Sequence, residues 1–268
     1  MKSVRMMHYD KTMTTPSRDR SFNSRNQALA AQYSRAIFEV IAETLWPTRC
    51  AICDLPDELL CANCRLALPY IDLWRACPQC GAPFGNMQCS ECNPVALKVL
   101  ERKTLPFSAC VCTTVYSAGA ARLITTYKDR GEQRLGPIIA DLMAQSIPPA
   151  WNRELAAIIA IPSSARALRR RGFDHTEKIA NQLSLKTELP SVKAFKRPCS
   201  KDQRALSKRE RAANMEERFS LRADFPTPKS VLLIDDVLTT GSTLCAASDA
   251  LHQAGVEEIR CATFARVW

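Results

Sequence analysis

The chain has 268 residues, of which 46% are hydrophobic and 24% charged; this excludes the apolar-poor, highly charged composition of a disordered protein and exceeds the usual ~100–200 residues of one domain. Its first thirty residues lack the apolar run of a secretory signal, and no stretch approaches the ~20 apolar residues of a membrane span, so the expectation is a cytoplasmic chain without membrane insertion. The formal net charge of +10 is uneven, since residues 166–222 carry 16 Lys or Arg against 7 Asp or Glu; that surplus suits polyphosphate or nucleic acid, and equally a solvated basic face.

Residues 1–26 are polar and aperiodic and read as a disordered tail. From 27 to 46 the apolar positions Leu29, Tyr33, Ile37, Val40, Ile41 and Leu45 recur at three- and four-residue steps, the spacing of an amphipathic helix whose plainest role is packing on the segment that follows.

That segment, 47–95, holds eight of the 13 cysteines as four CxxC pairs, Cys50 and Cys53, Cys61 and Cys64, Cys77 and Cys80, Cys89 and Cys92, separated by seven, twelve and eight residues. In a reducing compartment paired thiols hold metal or do redox chemistry more often than they form structural disulfides. Each CxxC turn aims two thiolates at one ion, and tetrahedral zinc needs two such turns, so four pairs supply two complete sites. The short inner gaps favour the first four cysteines around one zinc and the last four around another, a double zinc ribbon, with crossed pairing open. A four-sulfur site leaves no place for water or substrate, which makes such zinc structural; sulfur ligands would also suit an iron–sulfur cluster. Cys110, Cys112, Cys199, Cys245 and Cys261 lie scattered among apolar neighbours and read as ordinary core or surface thiols.

Beyond the cysteines the pattern alternates. Strands are expected at 110–116, 155–161, 191–195, 230–234 and 259–267, and helices at 120–129, 135–147, 175–183 and 243–254. Strands alternating with helices imply an α/β domain over 105–268, built on a parallel sheet covered on both faces.

Val231–Leu244, VLLIDDVLTTGSTL, is the most informative stretch. Its apolar run predicts a buried strand, with Asp235 and Asp236 at the strand's carboxyl end, where open α/β sheets bind ligands. Thr239, Thr240, Gly241, Ser242 and Thr243 then turn into a helix, offering hydroxyls, backbone N–H groups and a helix N-terminus to a phosphate. No lysine follows the glycine, so this is not a P-loop. Paired carboxylates beside an anion pocket need another task, and a sugar's vicinal hydroxyls, with magnesium nearby, provide it.

VLLIDDVLTTGSTL resembles the phosphoribosyl pyrophosphate (PRPP) motif of type I phosphoribosyltransferases. Together with the CxxC pairs, IPSSARALRRRGFDHTEKIA (161–180) and RPCSKDQRALSKRERAANMEERF (197–219), the order of modules resembles the ComF family across 50–268. The resemblance implies that Asp235 and Asp236 are the catalytic pair on the ribose hydroxyls of PRPP, which binds with magnesium, and that Thr239 to Thr243 hold its 5′-phosphate. It places the pyrophosphate at the loop after Ile161, where Arg166, Arg169, Arg170 and Arg171 follow closely, and two of these four are expected to reach it. Lys128 matches a family lysine with a phosphate role, and Gln203, Arg209 and Asn214 match a hood that would exclude water. The family's RGFNQ reads RGFDH here, which leaves Asp174 and His175 without a carried-over role; a surface helix cap suits Asp174. Thr239 stands where purine-using relatives carry an acid, which disfavours a purine acceptor. The resemblance implies transfer of phosphoribosyl to an unidentified acceptor, or else PRPP sensing without turnover or handling of single-stranded DNA alongside competence proteins.

Overall fold

The structure, a computed structural model, describes residues 47–99, 101–197 and 219–268, together with Gln32. The expected tail, the helix at 27–46, Cys199 and the hood residues Gln203, Arg209 and Asn214 therefore lie outside the described residues. Arg49–Trp268 form one compact unit. No helix among the described residues is long and apolar enough to cross a membrane.

Four parallel strands make the sheet among the described residues: β1 (Ala109–Val115), β2 (Ala157–Ala160), β3 (Ser230–Leu238) and β4 (Glu258–Arg266), in the order β1-β4-β3-β2. Strands buried on both faces must be apolar at successive positions, and β2 (AIIA) and the first half of β3 (SVLLI) meet that demand. Alternation divides them. Ile158, Leu232, Ile234, Ala262 and Phe264 face one core, and Ile159, Val231, Leu233, Ile259 and Cys261 the other.

The first core is filled by three helices: α3 (Ala118–Lys128), α4 (Leu135–Ser146) and α7 (His175–Thr187). In α3 the buried residues Ala120, Leu123, Ile124 and Tyr127 repeat at helical spacing, and Ser117 caps its first turn by accepting from Ala120 N. The second core is filled by α8 (Ser242–Gln253) through Leu244, Cys245, Ala247 and Leu251. The helices following β2 and β3 thus lie on opposite faces. That reversal opens a crevice at the carboxyl ends of these two strands, the place where α/β sheets take ligands.

Two short elements escaped the sequence reading. The arginine-bearing residues that follow the loop after β2, given no element in the sequence, form helix α6 (Ala165–Arg171), with Ser164 accepting from Ala167 N at its start and Gly172 in the left-handed conformation at its end. A further turn, α5 (Trp151–Glu154), precedes β2. The expected strand at 191–195 does not form; Ser191 bridges Ile158 and Phe195 bridges Leu221. Val192 N still bonds the Ile158 carbonyl, whereas Ala194 and Phe195 already pack in the second core, so the chain turns across the sheet edge instead of running along it.

The cysteine module, with helices α1 (Ala62–Leu66) and α2 (Pro94–Val99), is built onto this domain. Cys50, Leu60 and Leu68 join the core beneath α3 and α4. Pro69 to Ile71 run antiparallel to β1 and cover its free edge, with Ile71 N bonding the Thr113 carbonyl and Val115 N the Pro69 carbonyl. Gly81 sits so tightly on the sheet that a Cβ there would stand 2.8 Å from Cys112 Sγ. Cys110, Cys112, Cys245 and Cys261 are all buried core thiols.

Candidate functional site

The eight paired cysteines gather in two groups, Cys50, Cys53, Cys61 and Cys64, then Cys77, Cys80, Cys89 and Cys92, the sulfurs of each group all within 4.8 Å of one another. Sequential pairing is therefore the arrangement formed. Without a cation four sulfurs so close cannot all ionise. In the first group burial opposes the thiolate of Cys50, but N–H donors from Cys53, Cys61 and Ile52 outweigh it and draw this thiol down to about 6. In the second, burial and the hydrogen bond with Cys77 push Cys92 up to about 12. Such a donor set fits a tetrahedral zinc that deprotonates its thiols. The buried Arg266 at the end of β4 donates to the Cys80 carbonyl at 2.7 Å and so ties the second group to the sheet.

At the sheet crevice, β3 runs on to Leu238. Both aspartates thus lie within the strand rather than beyond its end, on opposite faces by alternation. Asp236 is buried, and its Oδ2 accepts from Lys128 Nζ at 2.6 Å and from His175 Nε2 at 3.1 Å, while its Oδ1 accepts from Val237 N at 2.9 Å. Burial works against this carboxylate, but the His175 hydrogen bond and the Lys128 charge hold it well below the usual range. Asp235 accepts from Asp236 N at 2.8 Å; burial and the neighbouring Asp236 charge push it well above that range. At neutral pH the geometry favours one charged and one more readily protonated carboxyl.

His175 opens α7 and is buried, with its Nδ1 2.9 Å from Ser163 Oγ and 3.3 Å from Arg171 Nη1. Its backbone carbonyl accepts from the phenol of Tyr127, which also packs edge-on against Phe173. Asp174 caps α7, as expected, but it is buried and not a surface cap: Ser163 N, at 3.1 Å, and Glu177 N both donate to it. These residues come from the end of α3, the loop after β2, the start of α7 and β3, and the fold brings them together within hydrogen-bonding reach.

The loop from Thr239 to Thr243 leads out of β3 with Thr239 and Thr240 exposed. Gly241 takes the left-handed conformation at the N-cap of α8 and, lacking a side chain, makes no cap bond, while the first amide of the helix, Ser242 N, donates to Thr240 Oγ1 at a long 3.4 Å. Thr240 Oγ1 and Ser242 Oγ lie 3.0 Å apart beside it. Of the four arginines on α6, Arg170 and Arg171 both pair with Asp129 at 3.0 Å, Arg171 being largely buried; Arg166 and Arg169 are exposed, without an ion pair among the described residues.

The family model of the Phosphoribosyl transferase domain matches residues 138–267. Competence protein F of Haemophilus influenzae is 38% identical over 117 residues, 41% of this chain and half the length of that protein. Competence protein ComFC of Bacillus subtilis is 25% identical over 75% of this chain and 80% of its own, and DNA utilization protein YhgH of Escherichia coli 24% identical over 80% and 95%. The chain is thus similar to competence and DNA-utilization proteins, and its C-terminal half matches the phosphoribosyl transferase domain. The parallel sheet is accordingly a phosphoribosyltransferase fold. Among solved structures, orotate phosphoribosyltransferase from Aeropyrum pernix is 20% identical with a TM-score of 0.30, covering 53% of this chain and 61% of the other. Adenine phosphoribosyl transferase from Trypanosoma brucei is 14% identical with a TM-score of 0.27, covering 53% and 68%.

Sequence reasoning missed Ser163 and the contacts of His175. A signal existed for the neighbourhood, because Ser164 and Gly172 bracket a capped helix and Asp174 starts the next. Nothing local told that His175 reaches Asp236, 61 residues away.

Proposed function

We propose that this chain binds PRPP with magnesium in the crevice at β2 and β3 and transfers its phosphoribosyl group to an acceptor nucleophile, in a cytoplasmic setting linked to DNA uptake. The observation that carries this reading is the Asp235 and Asp236 pair leading into the glycine-turned start of α8: hydroxyl-binding carboxylates and a phosphate cradle on one strand–turn–helix. The 5′-phosphate would sit on Thr239, Thr240, Gly241, Ser242 and Thr243, and the ribose hydroxyls on the acid pair. Pyrophosphate would face the loop after β2, within reach of Lys128 and the α6 arginines, and magnesium riding on PRPP oxygens would neutralise its charge. In the transfer the bond from C1′ to the pyrophosphate oxygen breaks, its electron pair leaving with pyrophosphate, as a bond from the acceptor to C1′ forms. The protein's part is to hold the two reactants in line and stabilise the departing anion. The proposed organisation is a zinc-ribbon module over 47–95 and a transferase domain over 105–268.

Calorimetric titration of magnesium and PRPP into the wild type and an Asp235→Ala, Asp236→Ala variant tests this. Binding is expected in the wild type and lost in the variant, with acceptor-dependent pyrophosphate release from the wild type. Absence of wild-type binding refutes the proposal, and binding without release under any acceptor favours a sensor.

A second reading, handling of single-stranded DNA, draws support from the exposed rings on and beside the cysteine module. Trp74 is 88% exposed, Phe84 and Trp268 pair at 5.6 Å, and Arg75 lies over the Phe84 ring. Exposed aromatics with a cation suit base stacking, and the curated relatives carry competence and DNA-utilization names. Salt-dependent binding of an oligonucleotide, weakened by Trp74→Ala, is the expected result; retention no better than a neutral control at low salt ends this reading.

A further inference from the structure

The two donors on Asp236 Oδ2 differ in kind. Lys128 reaches it from the end of α3 on a long side chain that is 25% exposed, whereas His175 is locked in place with 8% of its side chain exposed. An arriving ribose hydroxyl can displace the first but has no path to displace the second. Proton counting also settles how the imidazole is used. Asp236 is held as the carboxylate and can only accept, so Nε2 must carry a proton. Arg171 Nη1 is a donor only and lies 3.3 Å from Nδ1, so Nδ1 must accept, and Ser163 Oγ at 2.9 Å gives its single proton to the same nitrogen. Ser163 Oγ also lies 3.2 Å from Asp174 Oδ1, but its proton is directed to Nδ1, so that carboxylate keeps the backbone N–H groups of Ser163 and Glu177 and the Arg197 guanidinium 3.8 Å away.

We propose that His175 is a positioning residue of the phosphoribosyl site: fixed at Nδ1 by Ser163 and Arg171, it donates Nε2–H to Asp236 and keeps that carboxylate aimed when Lys128 is drawn away to the ligand's phosphates. The proposal rests on the PRPP reading. It gives a task to the position at which this chain departs from RGFNQ, and it makes that departure a conservative one, because a glutamine amide nitrogen reaches about as far from the backbone as imidazole Nε2 does, while asparagine's stops near Nδ1.

The test titrates magnesium and PRPP into the full-length wild type and into His175→Gln, His175→Asn and Ser163→Ala, each checked for a native melting transition. In parallel, nitrogen-15 histidine spectra of the ligand-free protein, with His175 assigned from the His175→Gln variant, read the tautomer. Affinity is expected within about 3-fold of wild type for glutamine and weakened about 10-fold or more for asparagine, the loss expected of one charge-assisted hydrogen bond, with the Nε2–H tautomer in the spectra. Equal affinities for glutamine and asparagine, or an Nδ1–H tautomer, overturn the positioning role and leave PRPP binding intact. No binding by the wild type overturns the PRPP reading itself, and the positioning role falls with it. Should asparagine fail to fold, Ser163→Ala decides: it leaves the imidazole present but held at Nδ1 by Arg171 alone, and is expected to weaken affinity a few-fold, whereas unchanged affinity counts against the proposal.

Discussion

The cysteine groups and the sheet crevice are assembled in opposite ways. Each cysteine group closes over fifteen or sixteen residues of chain, Cys50 to Cys64 and Cys77 to Cys92, and its sulfurs face one another because two tight turns are joined by a short connection. The crevice draws Lys128, Ser163, His175 and Asp236 from stretches spread over more than a hundred residues and owes their meeting to the packing of α3 and α7 on the sheet. A locally built site depends on its ion, while a globally built one depends on the fold. The cysteine groups therefore lose most when metal is removed, and the crevice loses most when a buried charge is stranded.

The largest effect is expected from the metal. Zinc analysis should return two ions per chain, and strong chelation should lower the melting temperature and collapse the module, since binding to such sites is itself folding free energy, on the order of 10 kcal/mol in isolated zinc peptides. Because Cys50, Leu60 and Leu68 belong to the core under α3 and α4, the loss should reach the sheet domain too. A melting curve unmoved by chelator, with zinc removed, would mean that the core carries the module unaided. Arg266→Met should loosen the second group alone, read as faster zinc release from one of the two ions.

Next come the aspartates. Asp236→Asn leaves Lys128 and His175 without their buried anion and should cost on the order of 3 kcal/mol in urea unfolding at neutral pH. Asp235→Asn should do the reverse. The two carry opposite signs in pH. Asp236, held low in the fold, adds stability above the unfolded carboxyl value of about 4 and gives it up as pH falls through its folded value. Asp235, held high, removes stability as pH rises from about 4 towards its folded value, so asparagine there relieves the fold at pH 7. Unfolding midpoints of the two variants should converge as pH drops below 4, and parallel curves for the two would contradict the assignment of charge.

The same contrast explains what could be read before the fold was known. The two cysteine groups and the VLLIDDVLTTGSTL turn were legible because spacing and local chemistry carry them, and β3 and α8 formed where expected. The extension of β3 past the acid pair was not, because Asp235, Asp236 and Val237 break the apolar run while β4 still pairs with Asp235 and Val237. Helix α6 was overlooked because RALRRR has no apolar stripe, although its Ser164 and Gly172 caps were visible in the sequence. A run such as Ser191 to Phe195 looks like a strand, but the chain must pass from one face of the sheet to the other there, and tertiary position overrode propensity. The burial of Asp174 and the reach of His175 follow only from how α7 sits on β2 and β3.

The smallest expected effects lie on α6 and separate its arginines. Arg171 is largely buried between Asp129 and His175, so Arg171→Ala disturbs packing as well as charge and should weaken PRPP binding most among the four. Arg170 is exposed and must leave Asp129 to meet a ligand, and a surface pair of that kind contributes only ~0–1 kcal/mol, so its release costs little. Arg166 and Arg169 project into solvent, and each alanine variant should change affinity by no more than a few-fold, with stability unchanged within ~0.5 kcal/mol. Calorimetry on the four single variants reads the order directly. If all four bind PRPP as the wild type does, the basic helix is a solvated face after all, and the crevice would have to neutralise pyrophosphate with Lys128 and the bound magnesium alone.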